Sequence, residues 1–228
     1  FHEDTHSYYS ADPSFKWTSV TGIIKLYKED FDAIAISEKV SKNPKSKWYG
    51  KTPEQIRDIW TKEGNRATDL GHWYHKQIED NILSCSTIER NGTELPVMAP
   101  LFNPEGYKTA PEQKLVDGIY PEHMMYLFSA GICGQSDMVE VINGVVNIAD
   151  HKTNKEIKTA GFKNWEGVVK KMKSPLAHLD DCDMIHYNIQ LSLYMYMILK
   201  HNPNLKPGKI TINHIIFENG EPDENGYP

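Results

Sequence analysis

An Asn143-Gly144 dipeptide between two runs of apolar residues constrains this fold more than any other feature of the sequence. Asn-Gly is the preferred centre of a two-residue type I′ turn, in which both residues take positive φ, so it predicts a β-hairpin. Such a turn sets the register of the strands that it joins. Val141 then faces Val146 beside the turn, and Asp137 faces Asp150 farther along.

Two acids and a lysine fall on one face of this hairpin. Asp150 and Lys152 lie opposite Asp137 and Gln135, because side chains alternate between faces along a strand. Opposed like charges lie roughly 4.5–5.5 Å apart and destabilise a ladder unless something neutralises them. Mg²⁺ or Mn²⁺ prefers carboxylate oxygens, and a nearby lysine can activate water and stabilise negative charge. The pattern indicates a metal site for phosphoryl chemistry, and the alternative is a solvated hairpin end with exposed ion pairs.

The acid Asp137, followed on the next strand by Asp150-His151-Lys152, resembles the core of the PD-(D/E)XK nuclease superfamily. Ser136 stands where the family pattern has proline before the first acid. The resemblance implies an α/β fold with a mixed central β-sheet flanked by helices, the restriction-endonuclease-like core, and a helical N-terminal wall. We expect a single nuclease domain over residues 1–228, mainly helical over 1–111, with the catalytic sheet and a motif helix over 112–228.

Two upstream segments match RecB-like members of this superfamily in the same order. Residues 65–80 read as a helix in which Gly71, His75 and Glu79 recur at four-residue spacing and share a face, which resembles a G-x-x-x-H helix. Glu122 begins an apolar, aromatic strand, like the acid that precedes the hairpin in RecB-like enzymes. A lone helical histidine is commonly just a satisfied polar side chain, but its alignment with two other motif residues favours a ligand or a DNA-positioning group.

A downstream helix carries Gln190 and Tyr194, which resemble the Q-x-x-x-Y motif of the same enzymes. The tyrosine has an ordinary alternative, because apolar neighbours on the helix could make it a core residue with its hydroxyl satisfied elsewhere. The His75 helix, the Glu122 strand, the hairpin and the Gln190 helix occur in the family's order. Their co-occurrence favours a functional role for these residues over the ordinary structural role that each could have alone.

The resemblance implies a metal-dependent DNA exonuclease that hydrolyses phosphodiester bonds, with single-stranded DNA ends as substrate, in DNA replication, repair or recombination. The layout resembles small stand-alone RecB-like exonucleases, including phage enzymes and the mitochondrial genome maintenance exonuclease. The implied catalytic residues are Asp137, Asp150, Lys152 and Glu122. One or two Mg²⁺ or Mn²⁺ ions would be held by Asp137, Asp150, the His151 backbone carbonyl, Glu122, His75 and Glu79. A PD-(D/E)XK endonuclease and a non-catalytic DNA-binding protein with the same fold are the alternatives.

The chain has a formal net charge of −6, which argues against a generally basic nucleic-acid binder. DNA contacts must therefore be local. Two lysine-rich segments, 38–51 and 152–173, also contain aromatic residues, and bases stack on aromatics while lysines bind phosphates. The ordinary alternative for such runs is a solvated face. The predicted DNA contacts are Gln190, Tyr194, Lys155, Lys158, Lys163, Trp165, Lys47, Trp48 and Tyr49.

The three cysteines are isolated and lack C-x-x-C spacing, so neither a disulfide framework nor an iron–sulfur cluster is expected. They favour a reducing, intracellular compartment: bacterial or phage-infected cytoplasm, or the mitochondrial matrix. No apolar run is long enough to cross a bilayer, so no membrane partner is expected. A partner in a recombination or replication complex is expected instead.

Local signals predict several elements outside the hairpin. Thr52, Pro53 and Gln55 predict a helix start with a capping box, and Gly64-Asn65 predicts a break before the His75 helix. We further expect strands near 122–129, 132–142 and 145–152, helices near 162–173 and 184–200, a small hairpin around Asn91-Gly92, and a last strand over residues 209–220 that extends the sheet.

Overall fold

The computed structural model of the chain describes residues 7–10, 12, 14–110, 113–164 and 166–217. Its α-helices are α1 (Val20–Leu26), α2 (Ala33–Ser41), α3 (Pro53–Leu83) and α4 (Asp183–His201). Its strands are β1 (Thr18–Ser19), β2 (Thr87–Arg90), β3 (Thr93–Pro96), β4 (Leu101–Phe102), β5 (Lys108–Thr109), β6 (Gly118–Leu127), β7 (Ile132–Ile142), β8 (Val145–Lys152) and β9 (Lys206–His214). The predicted α/β class is confirmed.

The central sheet is mixed, as predicted, and β7 is its middle strand. One edge of β7 pairs antiparallel with β6. The other edge pairs parallel with β1 at the start of β7 and antiparallel with β8 at its end, and β9 extends the sheet parallel to β8. Among the described residues, positions 134–137 of β7 therefore have no strand partner on the β8 side.

The hairpin turn has the predicted geometry. Asn143 has φ 51° and Gly144 has φ 73°, as a type I′ turn requires. Both backbone N–H groups donate to the Asp117 carboxylate, at 2.9 and 3.0 Å, which fastens the turn to the segment before β6. The predicted register is confirmed from the turn to the pair Met138 and Ala149. The antiparallel ladder ends there, one residue before the two aspartates.

Helix α3 begins with the predicted capping box. The Thr52 hydroxyl accepts the Gln55 N–H at 3.2 Å, and the Gln55 side chain accepts the Thr52 N–H at 2.9 Å. The predicted break at Gly64-Asn65 is wrong, because α3 is continuous over its 31 residues. A glycine inside a helix costs only about 0.5–1 kcal/mol, and burial of Ile56 and Glu79 near the two ends anchors the helix. Residues 61–69 between those ends are exposed on every side.

Helix α4 closes the core over the sheet. It matches the predicted span of 184–200 within one residue at each end. Its buried side chains pack with the apolar residues of β7 and β8 in one cluster. The ring of Tyr194 lies in that cluster against Gly134 of β7. The motif helix is therefore held directly on the strand that carries Asp137.

Of the remaining predicted elements, two strand predictions agree with the structure and one helix prediction does not. The hairpin around Asn91-Gly92 is confirmed by β2 and β3. The last strand extends the sheet as predicted, but β9 begins three residues earlier than expected and ends at His214, and residues 218–220 of the predicted strand lie outside the described residues. The predicted helix near 162–173 is wrong, because the described residues of this segment form turns, isolated bridges and irregular backbone. The Asn164 side chain accepts N–H groups of Glu166 and Val168, a local bond that competes with helix formation. In the described part of the chain, none of the helices combines the length and apolar character needed to cross a membrane.

Replacing Gly134 by Ala tests the contact between α4 and β7. An alanine Cβ would lie 2.3 Å from Cε1 of the buried Tyr194 ring, so we expect a loss of about 1–3 kcal/mol in the free energy of unfolding. Gly64→Ala is the control, because nothing lies within 4 Å of its Cβ and the change should add about 0.5–1 kcal/mol. Urea unfolding measures both, and equal effects at the two positions would contradict the packing.

Candidate metal centre

Three side chains from three elements meet beside the point where β7 and β8 separate. They are His75 of α3, Glu122 of β6 and Asp137 of β7, and their ligand atoms all lie within 4.8 Å of one another. His75 Nδ1 is 3.3 Å from Asp137 Oδ1 and 3.9 Å from Glu122 Oε1. Carboxylate oxygens with one imidazole nitrogen suit a divalent cation such as Mn²⁺ or Mg²⁺.

The backbone of β6 is distorted at Glu122. Glu122 has φ 47°, in the left-handed region that residues other than glycine rarely adopt. The register of β6 and β7 places it opposite Asp137. Gln135 fixes its carboxylate by donating from Nε2 to Oε2 at 2.6 Å. Such strain persists where the surrounding structure enforces it, and it is frequent at functional sites.

Asp137 is held by the backbone of the neighbouring strand. The His151 N–H donates to Asp137 Oδ2 at 2.6 Å, where a continued antiparallel ladder would direct that N–H to a backbone carbonyl of β7. The side chain thus takes the place of a ladder bond and separates the strands. Its second oxygen, Oδ1, is the atom nearest to His75.

Asp150 and Lys152 form a buried ion pair beside this group. Lys152 Nζ lies 2.5 Å from Asp150 Oδ2, and Asp150 is only 1% exposed. Lys152 Nζ also lies 4.9 Å from the centre of the Tyr187 ring. The ammonium thus contacts both a buried carboxylate and an aromatic ring.

The pKa values of Asp150 and Lys152 show that negative charge exceeds positive charge around this ion pair. Burial, and then the Asp137 charge, raises the pKa of Asp150 to about 6 despite the nearby ammonium. Burial opposes the charge of Lys152, but Asp150 and Asp137 outweigh it and raise the pKa of the lysine. Lys152 is therefore an ammonium at neutral pH.

In the group of His75, Glu122 and Asp137, burial and neighbouring charges again determine the direction of the pKa shifts. Burial works against charge on His75, but the neighbouring carboxylates of Asp137 and Glu122 outweigh it and raise the pKa of the imidazole to about 10. Burial raises the pKa of Glu122. Burial also acts upward on Asp137, but the adjacent His75 outweighs it and lowers the pKa of that carboxyl. The potential between the two acids thus attracts positive charge, which a divalent cation supplies with His75 neutral as a ligand.

Two residues expected as ligands have other partners. Glu79 is in a buried ion pair with Lys108 of β5, at 2.9 Å, and lies outside the three-residue group. Asp150 is also outside this group, although it lies next to it through Lys152 and Asp137. His151 contributes its N–H to Asp137, and a role for its carbonyl stays a prediction.

The motif residues of α4 bond to each other. Gln190 Nε2 donates to the Tyr194 hydroxyl at 3.0 Å, and Tyr194 is buried in the core with a pKa raised by that burial. Tyr187, which sequence analysis missed, lies on the same helical face and takes a hydrogen bond from Asn154 at 2.9 Å. Its spacing of three residues before Gln190 is the signal that identifies it.

The predicted DNA-contacting lysines lie on the surface. Lys155, Lys158 and Lys163 are exposed in the loop after β8, and Trp165 lies outside the described residues. Between α2 and α3, Lys47 lies over the Trp48 ring at 4.6 Å, and Tyr49 is exposed. This exposure is what phosphate and base contacts require, and the contacts themselves stay predictions.

Comparisons of the chain with protein-family models, with curated proteins and with solved structures found no match. The functional conclusion therefore depends on the geometry and chemistry of the site.

The raised pKa of Asp150 predicts a pH-dependent effect of Asp150→Asn in EDTA. The neutral carboxyl stabilises the folded state below about pH 4, and this contribution is lost as the pH rises through about 6. We expect the variant to match the wild type at pH 4 and to be more stable by about 2–3 kcal/mol at pH 8, measured by urea unfolding. The exposed Asp69→Asn should change little at either pH. An equal effect of Asp150→Asn at both pH values would contradict this electrostatic account.

Proposed function

We propose that this protein is a metal-dependent DNA exonuclease that hydrolyses phosphodiester bonds at single-stranded ends. One observation carries the proposal: the group of His75, Glu122 and Asp137 lies beside the buried pair of Asp150 and Lys152. A cation site next to an ammonium suits an anionic substrate that gains charge during the reaction, such as a phosphodiester.

The three-residue group would hold the cation. When bound, a divalent cation supplies Lewis-acid polarisation of a phosphoryl oxygen and lowers the pKa of a bound water. Gln135 keeps the Glu122 carboxylate in place, and the His151 N–H does the same for Asp137. Ligands held in this way need little rearrangement when the ion binds.

Lys152 stabilises charge in this mechanism. Since its pKa is raised, it already carries its proton at neutral pH and is poorly suited to remove one from water. Its ammonium would donate to the phosphate oxygens as the new P–O bond forms and the bond to the leaving sugar oxygen breaks. Asp150 orients the ammonium through the 2.5 Å contact.

The exposed lysines would guide the strand to the site. Lys155 and Lys158 follow directly after β8, the strand that ends in Lys152. Lysines bound to phosphates release counterions, so the affinity for DNA should fall steeply as salt rises. Local binding of this kind is compatible with the acidic net charge of the chain.

The direct test is degradation of an end-labelled linear single-stranded oligonucleotide with Mg²⁺, with Mn²⁺ and with EDTA. We expect degradation that depends on the metal and falls by about 10²–10⁴-fold in Lys152→Ala, because the developing charge loses its ammonium. Lys209→Ala is the matched control, since this lysine is exposed on β9 beside Asn147, at the turn end of β8. It should keep the wild-type rate.

A circular single strand separates the alternatives. An exonuclease spares it, a PD-(D/E)XK endonuclease cuts it, and a non-catalytic binding protein only retards it in a gel. Failure of the wild type to degrade either strand with Mg²⁺ or Mn²⁺ would contradict the proposed function.

A further inference from the structure

A large aromatic cavity lies at the end of β6, beyond the candidate metal centre. Its volume is about 790 Å³, within the usual range of ligand pockets. The aromatic side chains that line it come from the N-terminal segment, from the residue before β5 and from the end of β6 with the turn that follows: Tyr8, Tyr9, Trp17, Tyr107, Tyr126 and Phe128.

Several of these rings offer surface to a ligand. Tyr9 is 70% exposed and Phe128 is 60% exposed, which is unusual for large aromatic side chains that line a cavity. Phe128 is stacked on Phe15, with ring centres 4.4 Å apart, and Trp17 meets both rings edge-on. A flat ring that entered the cavity would continue an aromatic arrangement that already exists.

The cavity lining carries little charge. Lys108 is the single charged residue among the described residues that line it, and no carboxylate is present among them. Lys108 is paired with Glu79, one helical turn after His75 on α3. The cavity is therefore mainly aromatic and is free of the acids that would repel a nucleic-acid strand.

The cavity adjoins the metal centre. Met124 lines it and lies two residues after Glu122 on β6. A second cavity of about 480 Å³ shares Lys108, Thr109 and Met124 with the first and is also lined by Glu122. The two cavities together therefore extend from Glu122 to the aromatic rings.

We propose that the aromatic cavity stacks an unpaired nucleobase of the strand whose phosphate lies at the metal centre. This inference rests on the proposed exonuclease function and assigns a base-binding site to it. Stacking needs an accessible base face, which an unpaired base offers and a base inside a duplex does not. The cavity would therefore select single strands without selecting a sequence, since every base has an aromatic face.

The test compares binding of two labelled oligonucleotides of equal length, a thymidine strand and a fully abasic strand that keeps the phosphates. Ca²⁺ replaces Mg²⁺ so that the strand stays intact, and fluorescence anisotropy reports the affinity. We expect the wild type to bind the thymidine strand about 5- to 150-fold more tightly, which corresponds to stacking of one base.

Single substitutions test which side chains produce the preference for the thymidine strand. Tyr9→Ala and Phe128→Ala should each weaken binding of the thymidine strand and leave the abasic strand unaffected. Tyr196→Ala is the control, because Tyr196 is a comparably exposed aromatic residue on α4 outside the lining. Tyr9→Ala should leave the fold intact, since the Tyr9 side chain is more exposed than that of Phe128. Equal wild-type affinity for the two strands, equal weakening of both by the variants, or no binding of either strand would overturn the inference.

Degradation assays on the same preparations keep the two claims apart. Metal-dependent cleavage without any preference for the thymidine strand would overturn the base-binding site and leave the exonuclease standing. A thymidine preference lost in Tyr9→Ala, without cleavage in Mg²⁺ or Mn²⁺, would overturn the exonuclease and support a single-strand binding site in the cavity.

Discussion

The hydrogen bond from the His151 N–H to the Asp137 carboxylate is the interaction on which the candidate site depends. It ends the ladder between β7 and β8 after Met138 and Ala149 and lets the strands separate. The other carboxylate oxygen, Asp137 Oδ1, lies 3.3 Å from His75 Nδ1 of α3. A ladder that continued through this point would satisfy the same N–H and would lack the opening in which the acids converge.

The second constraint is the cost of burying so many acids together. Glu122, Asp137 and Asp150 are largely removed from solvent, and burial is the largest influence on the pKa of each. Lys152 and a protonated His75 supply the compensating charge within the chain. The charges of these buried residues are therefore coupled to stability as well as to function.

Much of this arrangement could be predicted because local chemistry determines it. The Asn143-Gly144 turn sets the register that brings Asp137 toward Asp150, and helical spacing aligns His75 with Gly71. The remainder depends on tertiary contacts. The partner of Glu79 is a lysine on β5, and no sequence pattern links the two. The segment around Lys163 carries Val168 and Met172 at four-residue spacing, which is compatible with a helix, but the Asn164 side chain binds local N–H groups and Gly167 takes φ 86°, so the segment forms a loop.

Binding of Mn²⁺ tests the central claim, that His75, Glu122 and Asp137 form a metal site. The measurement is a titration of the protein with Mn²⁺, followed by electron paramagnetic resonance of the free ion. In Asp137→Asn the amide oxygen can still accept the His151 N–H, so the strand geometry is kept while the charged ligand is removed. The account predicts that this variant binds Mn²⁺ at least about tenfold more weakly than the wild type, whereas Asp69→Asn binds it normally. Equal Mn²⁺ affinity in the wild type and Asp137→Asn would contradict it.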